Sequence, residues 1–242
     1  MFWYVVGVFK IFKVMEYLVI DILAVIVPFI FTFHKKLRFY KEWASFALGV
    51  VLVAVPFVVW DVIFTSKGVW GFDSDYLIGF NFFLLPLEEL LFFVCIPYAS
   101  LFTYHCFSIL WKEKSFKKLN IYGSYFLMAL SFCFAILNYD KLYTFYTAIF
   151  LFTTLLVLKV VLDKKWIGKF IAVYGVLLIP FTIVNGILTG SLLPSPIVWY
   201  NDDHNLGVRV GTIPIEDIFY GFLLILLFVF IYEKNSRGTK IS

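Results

Sequence analysis

The sequence has little charge and few cysteines. Charged residues make up 15% of the 242 residues and hydrophobic residues 62%. A soluble domain carries about 25% charged residues, so this composition excludes a disordered chain and an ordinary water-soluble enzyme. The mean hydropathy of +0.94 instead indicates a polytopic membrane protein. The three cysteines stand in or beside apolar segments without CxxC spacing, which excludes a disulfide scaffold and is typical of small buried side chains: Cys95, Cys106 and Cys133.

Several functional motifs are missing as well. The three histidines, His34, His105 and His204, are too few for the histidine boxes of a membrane di-iron enzyme, and the last apolar segment has no lysine for a retinal Schiff base. No GxGxxG sequence follows a strand, so no Rossmann nucleotide site is visible. The net charge of +4 comes without a basic, aromatic-rich face, which excludes nucleic acid as a partner. We expect no metal and no cofactor.

Seven apolar segments are long enough to cross a bilayer. A spanning helix needs about 20 apolar residues, and these runs are continuous rather than alternating, which favours helices over a β-barrel. The sequence therefore predicts an all-α polytopic membrane protein with about seven transmembrane helices, at about Tyr17–Phe33, Trp43–Phe64, Phe80–Phe107, Ile121–Leu137, Leu142–Leu162, Phe170–Thr189 and Val210–Tyr232.

The basic residues predict the orientation of these helices. With seven spans, fifteen of the twenty Lys and Arg residues fall on one side of the membrane and five on the other. Cytoplasmic loops carry the excess of Lys and Arg, so we expect a protein of the cell membrane with its N-terminus outside and its C-terminus in the cytoplasm. The lipid bilayer is thus one expected partner, and a homo-oligomer stays open.

The chain contains an internal repeat. Matching residues recur at an offset of 124 and then, after four added residues, at an offset of 128. Because the period is four spans, the two copies have the same orientation and the repeat is parallel. The matched positions are Asp61 and Asn185, Thr65 and Thr189, Gly79 and Gly207, and Pro86-Leu87-Glu88-Glu89 and Pro214-Ile215-Glu216-Asp217.

This repeat divides the chain into three parts. We expect a first copy with helices 1–3 over residues 1–110, a linker helix 4 over residues 111–141, and a second copy with helices 5–7 over residues 142–242. Helix 1 then corresponds to helix 5. The predicted architecture is two parallel three-helix repeats joined by a linker helix.

Each copy carries two adjacent acids behind a proline in an apolar run: Glu88 and Glu89, then Glu216 and Asp217. We expect these acids about two turns into the third and seventh spans, with the prolines kinking the helices, and the polar residues of both copies lining one shared cavity. A charge at mid-bilayer costs about 2.5–3.5 kcal/mol, so such residues are usually functional. The alternatives are dipole compensation at a solvated helix start, or structural pairing with Arg209.

Carboxyls in such a cavity can act as Brønsted acids. Burial among phenyl rings disfavours the charged form, and two adjacent carboxyls do not easily both ionise. One carboxyl can then hold a proton while its neighbour serves as base, and aromatic faces can stabilise a cation. An apolar substrate that reacts through a carbocation fits this set. Intramembrane acids also relay protons in transporters, so a proton-coupled carrier is the alternative.

Several runs in both copies are specific when taken together: Trp60-Asp61-x-x-Phe64-Thr65, Gly68-Val69-Trp70-Gly71-Phe72, Pro86-Leu87-Glu88-Glu89, Asn185-Gly186-x-Leu188-Thr189-Gly190, Val198-Trp199-Tyr200-Asn201, Gly207-x-Arg209 and Pro214-Ile215-Glu216-Asp217. The chain resembles, from about Tyr17 to Glu233, the small integral-membrane lycopene cyclases, which are heterodimeric or fused carotenoid cyclases without a flavin motif. Because both halves are present in one chain, the resemblance implies that no separate cyclase subunit is needed.

The resemblance implies a non-redox cyclisation of the ends of lycopene without a cofactor. An acid protonates the terminal double bond, the next double bond attacks the tertiary cation, and loss of a ring proton completes the ring. The family mostly makes β rings, so we expect a lycopene β-cyclase that forms γ-carotene and then β-carotene, with lycopene and these cyclised carotenoids as its partners. A cyclase of extended C50 carotenoids is the alternative within the family.

The resemblance also implies roles for residues. Catalysis falls to Glu88, Glu89, Glu216 and Asp217, with Glu88 or Glu216 donating the proton and the adjacent acid accepting it or stabilising the cation. Arg209 would anchor a carboxylate and keep it ionised, which favours the first-copy pair as proton donor. The expected substrate-binding or supporting residues are Asp61, Asn185, Thr65, Thr189, Arg209 and Asn81.

Overall fold

The computed structural model describes residues 15–236, and within them the chain forms seven long helices. Six are long and apolar enough to cross a membrane by length and composition. The first helix, with 16 residues, spans about 24 Å at 1.5 Å per residue. The polytopic all-α prediction is confirmed. The helices are α1 Glu16–Phe31, α2 Phe39–Ser66, α3 Leu87–Leu110, α4 Leu119–Leu137, α5 Leu142–Val161, α6 Ile167–Leu188 and α7 Ile215–Asn235.

Short strands occupy two of the connections. They form three two-stranded antiparallel sheets, in which β1 pairs with β4, β2 with β3, and β5 with β6. The strands are β1 Trp70–Phe72, β2 Asn81–Phe82, β3 Leu85–Pro86, β4 Val198–Tyr200, β5 Arg209–Val210 and β6 Ile213–Pro214.

Two predicted helix starts were wrong. The third and seventh spans begin at Leu87 and Ile215, rather than at Phe80 and Val210. The preceding apolar residues form β-hairpins, and each hairpin ends in a proline with extended backbone immediately before the helix. A proline lacks the N–H that a helix interior needs but fits the position before the first turn. The prolines therefore precede the helices and do not kink them.

The predicted parallel repeat is visible in the backbone. Every strand of one hairpin lies 128 residues before its counterpart in the other. The β1–β4 pair joins equivalent strands, with Gly71 opposite Trp199 and Trp70 opposite Tyr200. Because residues 71 and 199 are themselves equivalent, the pseudo-two-fold axis passes through that pair. The added residues of the second copy lie between Thr189 and Val198, where the offset changes from 124 to 128.

Each copy packs its first helix along its third. Helix α1 packs along α3, and α5 packs along α7, while α4 packs against α5 and the start of α6. Helix α7 is the most buried of the six spanning helices and contacts helices of both copies. Fully buried aromatic and aliphatic side chains fill the centre, among them Leu101, Phe170, Phe228 and Val229. This burial holds the two copies in one core.

The helices alternate in direction, so the connections fall at two ends. We call the end with the α2–α3, α4–α5 and α6–α7 connections the lid end. The β1–β4 sheet joins the first and third of these connections. Lys141 joins the second and third, because its Nζ donates to the carbonyls of Asp202 and Asp203 at 3.3 and 3.2 Å. We call the opposite end, which carries the other connections, the basic end. Among the described Lys and Arg residues, thirteen lie toward the basic end and three toward the lid end. The remaining four, Lys10, Lys13, Arg237 and Lys240, lie outside the described residues.

Candidate active site

The two carboxyl pairs lie in the first turns of α3 and α7, not two turns inside them. Free backbone N–H groups and the helix dipole favour acids at this position. All four side chains are nevertheless buried. Successive residues of a helix point about 100° apart, so the two members of each pair face different surroundings.

The first acid of each pair binds the loop that leads into the preceding hairpin. Glu88 Oε1 accepts the backbone N–H of Ile78 at 2.7 Å, and Glu216 Oε1 accepts that of Leu206 at 2.8 Å. Ile78 and Leu206 are again 128 residues apart. Glu216 also accepts the Thr144 hydroxyl at 2.6 Å. Neither acid lines the large cavity described below. This placement gives them a structural task, and it does not favour them as proton donors.

The second acid of each pair faces the interior, beside a tyrosine from the first helix of its copy. The Tyr17 hydroxyl donates to Glu89 Oε2 at 2.6 Å, and the Tyr143 hydroxyl donates to Asp217 Oδ1 at 2.7 Å. The two tyrosines therefore occupy equivalent places in α1 and α5. The sequence analysis did not identify them, although their spacing of 126 residues, close to the offset of the repeat, was a usable signal.

Asp61 gives the first copy a second carboxyl in the cavity. It lies within hydrogen-bonding reach of Glu89, a contact that is favourable between two carboxyls when they share a proton. Two neutral groups also donate to Asp61: the indole N–H of Trp70 from the β1 strand, and the Thr65 hydroxyl at 3.3 Å. The first-copy group is thus an acid pair.

Asp217 of the second copy is surrounded by neutral donors instead. Besides Tyr143, the Tyr200 hydroxyl donates to Asp217 Oδ2 at 3.0 Å, and Asn185 Nδ2 donates to it at 3.4 Å. Burial raises the pKa of the Tyr200 phenol well above its ordinary value, and the Asp217 carboxyl raises it further, so Tyr200 stays a donor. Three neutral donors stabilise a carboxylate. The two copies thus present different chemistry at matched positions.

Both groups open into a cavity of about 250 Å³ between the two copies. Asp61, Glu89, Asn185 and Asp217 all line it toward the lid end. The lining continues along one face of α3 as far as Thr103, about 21 Å from Glu89 at 1.5 Å per residue. Most of this length is apolar, with side chains such as Phe92, Ile96, Val184, Leu188, Leu224 and Ile225. The cavity suits a long apolar molecule whose end reaches the polar groups.

Aromatic rings surround the polar end of this cavity. Trp70 and Tyr143 have ring centroids 5.0 Å apart, and Tyr143 stacks on Tyr200 at 6.0 Å. Tyr220 lies edge-on to Tyr143 at 6.0 Å. The β1–β4 sheet closes the lid end above them. Such rings can stabilise a cation by their negative faces. The sequence analysis noted the aromatic content but did not single out these rings.

The remaining predicted residues are divided between this site and the surface. Thr189 lines the cavity and donates to the Asn185 carbonyl at 2.7 Å. Asn81 is exposed on the first hairpin and takes no part in the site. The expected anchoring of a cavity carboxylate by Arg209 was wrong, since its guanidinium pairs with Asp202 at 2.5 Å and donates to the Thr212 carbonyl. Arg209 thus makes no direct contact with a cavity carboxylate, and its positive charge acts on Asp217 only at longer range.

A family model described as lycopene cyclase matches this chain twice, over residues 15–107 and 140–234. The two regions together cover more than half of the chain, and each falls on one copy of the repeat. No curated protein and no solved structure matches the chain. Repeat, membrane helices and family match agree, and the chain belongs to the lycopene cyclase family, whose activity is the cyclisation of carotenoids.

Proposed function

We propose that the chain is a lycopene β-cyclase that closes the two ends of its substrate in turn at one site. The observation that carries this proposal is the convergence of carboxyls from both copies on one end of a long apolar cavity. A polyene end group can reach those carboxyls while the rest of the chain lies along α3. Because both copies contribute to the same cavity, one site serves each end after the other.

The Glu89–Asp61 pair supplies the proton. Two buried carboxyls within hydrogen-bonding reach favour a shared proton over two negative charges. The proton passes from this pair to the terminal double bond of the substrate, and a tertiary cation remains on the neighbouring carbon. Tyr17, which donates to Glu89, orients that carboxyl. This assignment moves the donor from Glu88 to the acid beside it.

The ring closes within the aromatic end of the cavity. The electron pair of the next double bond attacks the cation, a carbon–carbon bond forms, and the positive charge moves onto the new ring. Trp70, Tyr143 and Tyr220 offer ring faces and edges around this position. Such contacts lower the energy of a cation without offering a strong nucleophile to it.

Asp217 accepts the proton that leaves the ring. Its three neutral donors offset part of the cost of burying the carboxylate, which is the form that a base needs. Loss of the hydrogen from the ring carbon attached to the polyene gives the β ring. One proton enters and one leaves, and no electron is transferred, so substrate and product are isomers.

Expression in cells that accumulate lycopene tests this function. We expect lycopene to be converted into γ-carotene and then β-carotene, identified by chromatography and absorption spectra. Unchanged lycopene beside folded protein in the membrane would contradict a cyclase of lycopene. Rings of another type would contradict the β assignment. Cells that supply an extended carotenoid test the C50 alternative in the same way.

A further inference from the structure

The two copies carry hairpins of the same shape and different chemistry. The first hairpin, residues 80–86, pairs Asn81 with Pro86, and the second hairpin, residues 208–214, pairs Arg209 with Pro214 in the equivalent register. Each runs directly into a helix of the membrane bundle. The parallel repeat places both hairpins at the lid end, on opposite sides of the pseudo-two-fold axis.

The first hairpin exposes large apolar side chains. Phe80, Phe82, Phe83 and Leu84 are exposed to 70%, 62%, 80% and 51%. No charged residue occurs from residue 77 to residue 87. In the second hairpin the tip carries Gly211 and Thr212 instead, and Arg209 binds the Thr212 carbonyl and Asp202. The second hairpin thus exposes the smaller apolar side chains Val208 and Val210 beside a charged group, while four larger apolar side chains of the first are not covered by other described residues.

Phe83 also has a backbone conformation that a large side chain disfavours. Its φ is 56°, and the equivalent residue of the second copy is Gly211 with φ 66°. Glycine adopts this left-handed region freely, whereas a bulky residue there is rare. The first copy therefore keeps a phenylalanine where the turn favours glycine, which indicates that the exposed ring has a partner.

The surroundings of the first hairpin indicate the partner. Leu84, Leu87 and Val94 are exposed on the outer surface and continue the apolar hairpin surface onto α3, a membrane-spanning helix. Part of the hairpin backbone is paired internally, by the β2–β3 pairing and by the Leu87 N–H on the Phe80 carbonyl at 2.8 Å. Internal pairing of this kind lowers the cost of bringing backbone into an apolar phase.

We infer that the first hairpin inserts its apolar tip among the lipid acyl chains of the leaflet at the lid end, and that the second hairpin stays in water. Phenylalanine and leucine side chains are typical of surfaces buried at the boundary between lipid headgroups and acyl chains. The molecule is then anchored at one side of its lid end and free at the other. This inference does not depend on which ring type the enzyme makes.

Matched spin-labelled variants test this inference. Phe82→Cys and Val210→Cys occupy equivalent positions and are made in a chain with Cys95, Cys106 and Cys133 replaced by alanine. Each purified protein is labelled with a nitroxide and reconstituted in phosphatidylcholine–phosphatidylglycerol vesicles. Collision rates with oxygen, which concentrates in acyl chains, and with a water-soluble nickel chelate are then measured. We expect the oxygen-to-nickel ratio to be several-fold higher at position 82 than at position 210.

Equal ratios at the two positions, with free access of the nickel chelate to position 82, would overturn the inference. Spin–spin broadening at position 82 that disappears on dilution with unlabelled protein would also overturn it, because a second copy of the chain would then cover the hairpin. Phe80→Cys and Val208→Cys form a second equivalent pair, exposed to 70% and 56%, should the first pair fail to fold. They must give the same difference.

Discussion

Glu88 and Glu89 are neighbours in one helical turn, and their side chains meet different partners. Glu88 holds a backbone N–H of the preceding loop, while Glu89 meets Tyr17 and Asp61 in the cavity. The second copy repeats this division in Glu216 and Asp217. In each pair of adjacent acids, the first therefore binds a backbone N–H and the second lines the cavity.

Glutamine substitutions separate these two tasks. Glu89→Gln removes the acid that faces the substrate, and we expect the cyclisation rate to fall by about 10²–10⁴-fold, as for the loss of a general acid. Glu88→Gln keeps an Oε1 that accepts the Ile78 N–H, and we expect it to stay active. Both rates are measured as conversion of lycopene in membrane vesicles, per amount of folded protein.

Glu216→Gln is the matched control in the second copy, where the Leu206 N–H again finds an amide oxygen. An active Glu89→Gln variant together with an inactive Glu88→Gln variant would show that the donor is Glu88.

The sequence predicted these acids but not their division. The doubled motif and the cost of charge in an apolar run were enough to select Glu88, Glu89, Glu216 and Asp217. Which acid faces the cavity depends on where the helix starts, because each residue turns the side chain by about 100°. Arg209 was misjudged for a similar reason, since its partner Asp202 lies in a loop whose path local patterns do not fix.

At the scale of elements, the seven long helices could be predicted from apolar length alone, and two of the helix starts could not. Residues 80–86 are apolar except for Asn81, and such a short run is produced equally by a buried helix or by a hairpin. The proline before each acid pair was interpreted as a kink, although proline is equally suited to the position before a first helical turn. The hairpins and the β1–β4 lid therefore emerged only from the structure.

One glycine of α6 controls how closely that helix approaches α4. A Cβ on Gly168 would lie 2.5 Å from the Phe116 carbonyl oxygen and 2.6 Å from the Asn120 nitrogen, both backbone atoms that cannot move aside. We expect Gly168→Ala to destabilise the protein by about 1–3 kcal/mol, as for other overpacked sites. The measurement is thermal unfolding in detergent.

Gly175 of the same helix serves as its control, because a Cβ there meets no atom within 4 Å. Gly175→Ala is expected to be neutral or to stabilise by about 0.5–1 kcal/mol through better helix propensity. Equal effects of the two substitutions would show that the contact between α4 and α6 does not limit stability.

At the scale of the whole molecule, the uneven charge of the two ends predicts its orientation. Thirteen of the described basic residues lie toward the end opposite the lid, so we expect that end in the cytoplasm. Single cysteines at exposed Lys114 and Asp203, in the cysteine-free chain, report this. A membrane-impermeant maleimide should label Asp203→Cys in intact cells and Lys114→Cys only after permeabilisation. The reverse pattern would invert the topology.

Because both copies line one cavity, neither should work alone. We expect fragments 1–139 and 140–242, divided in the α4–α5 connection, to be inactive separately and to restore cyclisation when produced together in lycopene-accumulating cells. The intact chain and an inactive Glu89→Gln fragment pair are the controls. Activity of one fragment alone would show that each copy holds a complete site.

The packing of Gly71 against Trp199 at the pseudo-two-fold axis could not form between two identical chains. A Cβ on Gly71 would lie 2.3 Å from the Trp199 indole, so the axis has room for one large ring and not for two. Two separate identical subunits would have to place the same residue there twice. When the two copies are fused in one chain, equivalent positions can carry different residues, both at the axis and away from it. Asp61 and Asn185 can differ, so a single polypeptide can keep a proton donor on one side of its substrate and a proton acceptor on the other.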